Sequence, residues 1–384
     1  MTPQQPPLSL YIHLPWCVRK CPYCDFNSHK AGIDTPRARY VQALLSDLQS
    51  AAVLAGGRDV VSIFMGGGTP SLFAPAEIEK ILQQANDIFT LADDCEITME
   101  ANPGTIERGN LAAYRRAGVN RLSIGAQSFD AKMLQVLGRI HGPEDIQAAY
   151  DEASTAGFDS INIDLMFALP GQDVGLAIAD VEKLLRLSPQ HISYYQLTLE
   201  PNTIFYSRPP ANMPDDDTSW EIQTSCHELL NQGGYEQYEI SAFARPGYSC
   251  RHNLNYWLFG DYLAVGAGAH GKHTDSAGNI WRYQKPANPL GYMEKIENGT
   301  AGAELTKLDS SELGFEFMLN ALRLSAGFAE STFVGRTGLS MEDISVPIEN
   351  ARADGMIERT QNGVWQPTAT GFRFLNDLQA RFLP

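Results

Sequence analysis

The chain has 384 residues, 43% hydrophobic and 19% charged, which gives room for a full-sized α/β domain and a smaller companion. A formal net charge of −16 argues against a protein whose main surface grips nucleic acid. The N-terminus lacks the basic lead and apolar run of a signal peptide, and no apolar stretch reaches the roughly 18 residues of a membrane span, so the expected location is the cytoplasm.

Short, nearly continuous apolar runs recur along the first half: LSLYIHL (8–14), VVSIFM (60–65), CEITME (95–100), RLSIGA (121–126), SINIDLMF (160–167) and HISYYQLTL (191–199). Such runs read as strands buried on both faces. Helical patterns lie between them: a Thr-Pro start opens 35–55, and 74–89, 110–118 and 173–187 carry apolar residues at helical spacing. Alternation of this kind makes right-handed βαβ units and a parallel sheet. Six units predict a partial (β/α)6 barrel, with an open doubly wound sheet as the competitor.

The texture changes after residue 205. RPPANMPDDD reads as a loop, 218–234 as a helix, and YEQYEISAFA (235–244) as one more strand. From about 305 the pattern is helical, and MIERTQNGVWQPTATG places two short strands around an Asn-Gly turn, as in a winged-helix-like domain. The expected organisation is a barrel over 1–205, a connecting and extension region over 206–300, and a C-terminal helical domain over 301–384.

Three of the six cysteines, Cys17, Cys21 and Cys24, fall within eight positions, in HLPWCVRKCPYCDFNSH. A disulfide is disfavoured in a reducing compartment and would leave one thiol over. A structural zinc ion needs a fourth ligand, for which His13 and His29 are candidates. CPYC is also a glutaredoxin-type redox string, although here it follows the first strand of a much larger sheet. The remaining reading is an iron–sulfur cluster, since three thiolates leave one iron of a [4Fe-4S] cube open for chemistry. Cys95, Cys226 and Cys250 are scattered and read as small buried residues.

A CxxxCxxC loop after the first strand resembles the radical SAM superfamily. Within it, YIHLPWC, GGGTPS, EANPGT, IGAQSF and DLMFALPGQ resemble the successive motifs of the oxygen-independent coproporphyrinogen III oxidases (HemN) and their relatives. The resemblance implies that Cys17, Cys21 and Cys24 ligate a [4Fe-4S] cluster flanked by Tyr11 and Tyr23. It also implies that Gly67, Gly68, Thr69, Glu100, Gln127, Arg139 and Asp164 contact S-adenosyl-L-methionine (SAM). Taken physically, the glycines let the backbone approach a ligand closely and expose N–H groups to a carboxylate. The polar residues fall near the C-terminal ends of successive strands, where parallel barrels carry their sites.

Two departures from the oxidases turn the reading away from radical decarboxylation of porphyrinogen propionates. Phe26 stands where they carry a further cysteine, and fewer residues precede the first strand. RHNLNYW (251–257) contains HNxxYW, a motif of the HemW haem chaperones, and YLAVGAGAHG (262–271) is similar to their pattern. The resemblance implies haem binding by His252, Tyr256 and Trp257: an imidazole that can ligate iron beside two aromatic faces for a porphyrin. The ordinary alternative is a histidine at a helix end with two core aromatics. The expected function is delivery of haem to apo-acceptors, respiratory proteins among them, with an electron donor for the cluster and a homodimer as further partners.

Overall fold

The computed structural model describes residues 5–105, 110–300 and 304–384, so the first residues expected for the C-terminal domain, 301–303, lie outside the described residues. Six strands make its centre: β1 (Leu8–Leu14), β2 (Val60–Gly67), β3 (Leu91–Ala101), β4 (Arg121–Gln127), β5 (Ser160–Phe167) and β6 (His191–Gln196). They are parallel and neighbour one another in chain order. A doubly wound sheet reverses its order midway; this one does not, and the partial barrel is the fold.

The crossovers are α1 (Arg37–Ala55), α2 (Pro75–Ile88), α3 (Asn110–Arg116), α4 (Pro143–Ala156) and α5 (Val174–Leu187), with α6 (Asp216–Gln232) after β6. Local chemistry sets their ends. Pro75 opens α2 while the Glu77 carboxylate takes the Ala74 N–H at 2.8 Å, and Asp173 caps α5 by accepting from Leu176 N. One continuous apolar cluster joins the inner helix faces to the strands, including Leu10, Ile12, Leu44, Ile63 and Ile163.

The segment 206–300 does more than connect. YEQYEISAFA is two strands rather than one, β7 (Glu236–Glu239) and β8 (Ala242–Ala244); the chain turns back at Ile240 and Ser241, and both run antiparallel at the β6 edge. A short helix, α7 (Arg251–Trp257), follows. Beyond it β9 (Asp261–Val265) pairs parallel with β1. The antiparallel strands β10 (His270–Thr274), β11 (Ile280–Gln284) and β12 (Glu304–Lys307) then finish a twelve-stranded sheet.

A second apolar cluster, centred on Phe317, Phe328, Phe333 and Trp365 and reaching back to Phe259 and Ile280, holds the helices after Ser310 against a three-stranded sheet. Two of those strands, Ile357–Arg359 and Val364–Pro367, flank the Asn-Gly turn, giving the winged-helix-like arrangement. Among the described residues no helix is long and apolar enough to cross a membrane.

Candidate functional site

Two adjoining cavities open above the C-terminal ends of the parallel strands. The first contains the cysteine loop. Cys17, Cys21 and Cys24 line it together with Tyr23, Gly67, Gly68, Thr69, Glu100, Gln127, Arg139 and Asp164, which are all but one of the residues expected around a cluster and SAM. Each thiol has a hydrogen-bond partner, two of them from distant segments: Thr69 Oγ1 is 3.4 Å from Cys17, Arg139 Nη1 3.8 Å from Cys21, and the nearby Ser28 Oγ 3.6 Å from Cys24. Burial pushes the Cys17 and Cys24 thiols up, opposed by the Thr69 and Ser28 hydroxyls. Among the described residues no three such side chains converge as ligands of one ion. His13 is committed elsewhere, so it cannot be the fourth ligand of a zinc ion.

The glycine segment is forced by contact. Gly67 sits at φ +107, and a Cβ there would lie 2.2 Å from the His13 ring; one at Gly68 would lie 2.7 Å from the Leu14 carbonyl. Its N–H groups, expected to face a ligand, are spent inside the fold. Gly67 N donates to Glu100 at 3.2 Å, Gly68 N to Leu14 O at 2.9 Å and Thr69 N to Trp16 O at 2.8 Å. These bonds clamp the end of β2 to β3 and to the segment leading into Cys17, so the glycines shape the cavity without offering free backbone donors.

The polar residues are individually held. Gln127 ends β4 in the left-handed region (φ 71), and its Oε1 accepts from Tyr195 Oη at 2.6 Å. Arg139 donates Nη2 to Gly125 O at 2.7 Å, while its Nε is buried without a partner among the described residues. Asp164 accepts from Asn162 Nδ2 at 2.7 Å and lies 3.4 Å from Ser123 Oγ; burial raises its carboxyl against those bonds. Burial, helped by the Asp164 charge, pushes Glu100 up to about 8. A cavity of thiols, buried carboxyls and an arginine with an unfilled donor fits a group that brings both anionic sulfur and a polar, charged tail.

Tyr11 is the exception. It lines the second, larger cavity rather than flanking the cysteines, because its hydroxyl turns to His13 Nδ1 (3.0 Å) and its ring lies against Phe64. This cavity, about 790 Å³, shares Phe26, Gly67 and Glu100 with the first. All three residues expected to bind haem face it. On α7, His252 and Tyr256 are four apart, as are Asn253 and Trp257, which puts two pairs side by side on one helix face.

The helix is fixed from below. Glu96 of β3 accepts the backbone N–H groups of Arg251 and His252, each at 3.1 Å, and the His252 ring rests 5.1 Å from that of Phe64. Burial, with a smaller effect from Arg121, pushes His252 down to about 3, so its ring is neutral. Tyr256 packs against Tyr262, and Arg323 lies over the Trp257 ring at 4.3 Å. His252 stands in the first turn without capping the helix; the cap comes from Glu96.

Sequence reasoning missed several residues of both cavities: Ser123 and Tyr195 in the first, with Asn162 buried behind Asp164, and Phe64, Tyr262 and His270 in the second. For Tyr195 the signal was alternation along HISYYQ. For Phe64 and Tyr262 it was that neighbouring strands present aromatics on one face.

A parallel six-stranded partial barrel with a cysteine loop after its first strand defines a radical SAM protein. The profile of the radical SAM superfamily matches residues 11–186 and that of the HemN C-terminal domain residues 308–374. The solved structure of coproporphyrinogen III oxidase (HemN) from Escherichia coli superposes with a TM-score of 0.84, covering 98% of this chain and 90% of that one, at 24% identity, a likeness of fold. Across nearly the full length the chain is 48% identical to the heme chaperone HemW of Escherichia coli (98% of each chain) and 46% identical to that of Haemophilus influenzae (99% of each). It is 31% identical to the Bacillus subtilis heme chaperone HemW, over 93% of this chain and 94% of that one. The chain belongs to the HemW family. SAM and a [4Fe-4S] cluster are the cofactors that the superfamily implies.

Proposed function

We propose that this protein binds haem in the larger cavity and delivers it to apo-acceptor proteins, respiratory haem proteins among them. Cys17, Cys21 and Cys24 would hold the cluster, with Tyr23 beside it, and Gly67, Gly68, Thr69, Glu100, Gln127, Arg139 and Asp164 would bind SAM. A cluster held there would supply one-electron chemistry beside SAM, with the electron coming from an external donor. The chain's own residues bind and orient: Thr69, Arg139 and Ser28 hold the sulfurs, and Asn162 and Ser123 aim Asp164.

One observation carries the reading: His252, Tyr256 and Trp257 line a cavity of haem-accommodating size that shares a wall with the cysteine cavity. Tyr11 belongs to that haem-side wall. Phe26, where the oxidases have a cysteine, is exposed at the rim of both cavities, which favours a carrier over a porphyrinogen oxidase.

The test is an anaerobic haem titration of cluster-reconstituted protein followed by visible absorption. Saturation near one haem per chain, weakened at least tenfold in a Tyr256→Ala, Trp257→Ala double variant, is the expected result. Weak, unsaturable uptake by both proteins, together with decarboxylated product from porphyrinogen, SAM and a reductant, would overturn it in favour of the oxidase.

A further inference from the structure

Three histidines line the larger cavity, and their hydrogen bonds give them different capacities. His13 spends both ring nitrogens, Nδ1 on the Tyr11 hydroxyl at 3.0 Å and Nε2 on the Asn27 carbonyl at 2.9 Å. It has no lone pair to offer a metal.

His252 is committed through a buried relay. Its Nδ1 lies 3.1 Å from Ser62 Oγ, which lies 2.8 Å from Ser9 Oγ, and Ser9 Oγ accepts from the Asn255 amide at 2.8 Å. The same amide donates to the Asp261 carbonyl at 2.9 Å, which fixes its orientation. Counting protons sets the direction. The amide can only donate, so Ser9 gives its own proton to Ser62, its remaining partner among the described residues, and Ser62 gives its proton to Nδ1. Reversing the relay would bury the Ser9 hydroxyl proton without an acceptor, in a place where both serines are shielded from water. His252 therefore carries its proton on Nε2. There it is an N–H donor, suited to an anionic carboxylate, with no lone pair at that nitrogen for iron.

His270 is different. It opens β10 with an exposed side chain, and among the described residues its ring makes no hydrogen bond. Its backbone is held firmly. Asn27 donates to the carbonyls of Ala267 and Ala287, each at 2.9 Å, Gly268 N donates to Pro286 O at 2.9 Å and Lys285 N to Ala269 O at 2.8 Å. In the sheet, β10 stands two strands from β1, which carries Tyr11. At about 4.8 Å per strand, the His270 backbone is on the order of 10 Å along the sheet from that of Tyr11, on the same cavity. A free imidazole on a rigid turn is the form a metal ligand takes.

We propose that His270 supplies the axial ligand to the haem iron, while His252 holds the porphyrin as an Nε2–H donor to one of its carboxylates. The proposal rests on the haem-binding reading above and assigns the ligand within it.

The test compares wild type, His252→Ala, His270→Ala and His270→Gly, all cluster-reconstituted, by anaerobic haem titration with visible absorption and by electron paramagnetic resonance of the ferric form. Loss of the nitrogen-ligated spectrum in His270→Ala, with at least tenfold weaker binding, and its restoration in His270→Gly by added imidazole, is the expected result. His252→Ala keeps the ligation spectrum and only weakens binding. If His270→Ala leaves the ligation spectrum intact while His252→Ala abolishes it, the assignment is overturned and the carrier reading stands. If wild type takes up no haem saturably, both fall.

Discussion

His191 Nδ1 lies 2.6 Å from Asn162 Oδ1, and this contact joins the two cavities beneath their floors. On one side Asn162 Nδ2 reaches Asp164 at 2.7 Å. On the other, His191 Nε2 lies 2.8 Å from the Tyr238 hydroxyl, which accepts from the backbone N–H of Cys250 at the start of α7. A carboxylate expected at SAM and the helix that carries His252 thus share one buried polar chain.

Replacing His191 with leucine takes the acceptor from the Tyr238 hydroxyl and leaves Asn162 Oδ1 only the longer bond from Ser193 Oγ at 3.2 Å. Each buried polar group left unpaired costs about 1–3 kcal/mol, so His191→Leu should unfold at distinctly lower denaturant and bind SAM more weakly as Asp164 loses its support. Urea unfolding and SAM binding by calorimetry check this. Wild-type SAM affinity in a destabilised variant would show that the chain serves folding alone.

The glycines differ in a way that can be measured. Gly67→Ala brings both the left-handed φ and a 2.2 Å collision with His13, whereas Gly57→Ala at φ +76 meets nothing within 4 Å. Strain alone costs about 1–3 kcal/mol. The Gly57 variant should lose about that much, and the Gly67 variant should lose more and fail to retain the cluster. Thermal unfolding and iron content after reconstitution separate them.

Stability should fall in acid because burial holds several histidines neutral, His141 and His227 among them. Burial pushes His141 and His227 down to about 4, below the ordinary value of 6.5. Between those values the unfolded chain binds more protons than the native one, so stability is lost as pH drops from 6.5 towards 4. His227 sits between Tyr194 and Phe243 with its Nε2 buried and, among the described residues, without a hydrogen-bond partner. His227→Phe should flatten the pH profile of the unfolding midpoint and leave neutral-pH stability nearly unchanged.

Glu100 should act in the opposite sense. Its carboxyl, raised to about 8 first by burial and then by the Asp164 charge, keeps a proton that the unfolded chain has lost above 4.5. Stability contributed in this way is lost as pH rises from 4.5 to 8, by at most about 1.4 kcal/mol per pH unit. Glu100→Gln should remove that slope in urea titrations of the protein free of cluster and SAM.

The barrel was legible because buried parallel strands and their crossover helices carry different periods, and β1 and β5 fall on the expected residues. The cysteine cavity was legible because its residues sit at strand ends inside compact motifs. What stayed hidden depends on pairing between distant segments. Nothing in GAGAHG says that β10 folds back beside β9, so His270 could not be placed at the cavity. The family resemblance put Tyr11 beside the cysteines, yet period-two alternation along β1 and the pull of His13 turn it to the other cavity. The spent N–H groups of Gly67, Gly68 and Thr69 needed their acceptors, which lie on β1, β3 and the cysteine loop.

Haem transfer tests the central claim most directly. Haem-loaded protein is mixed with an apo-form b-type haem protein under anaerobic conditions, and the acceptor's Soret band is followed against free haem and against a haem-loaded Tyr256→Ala, Trp257→Ala variant. The account predicts appearance of holo-acceptor at a rate that rises with acceptor concentration, showing direct hand-over. A rate independent of acceptor concentration and equal to spontaneous haem loss would contradict delivery.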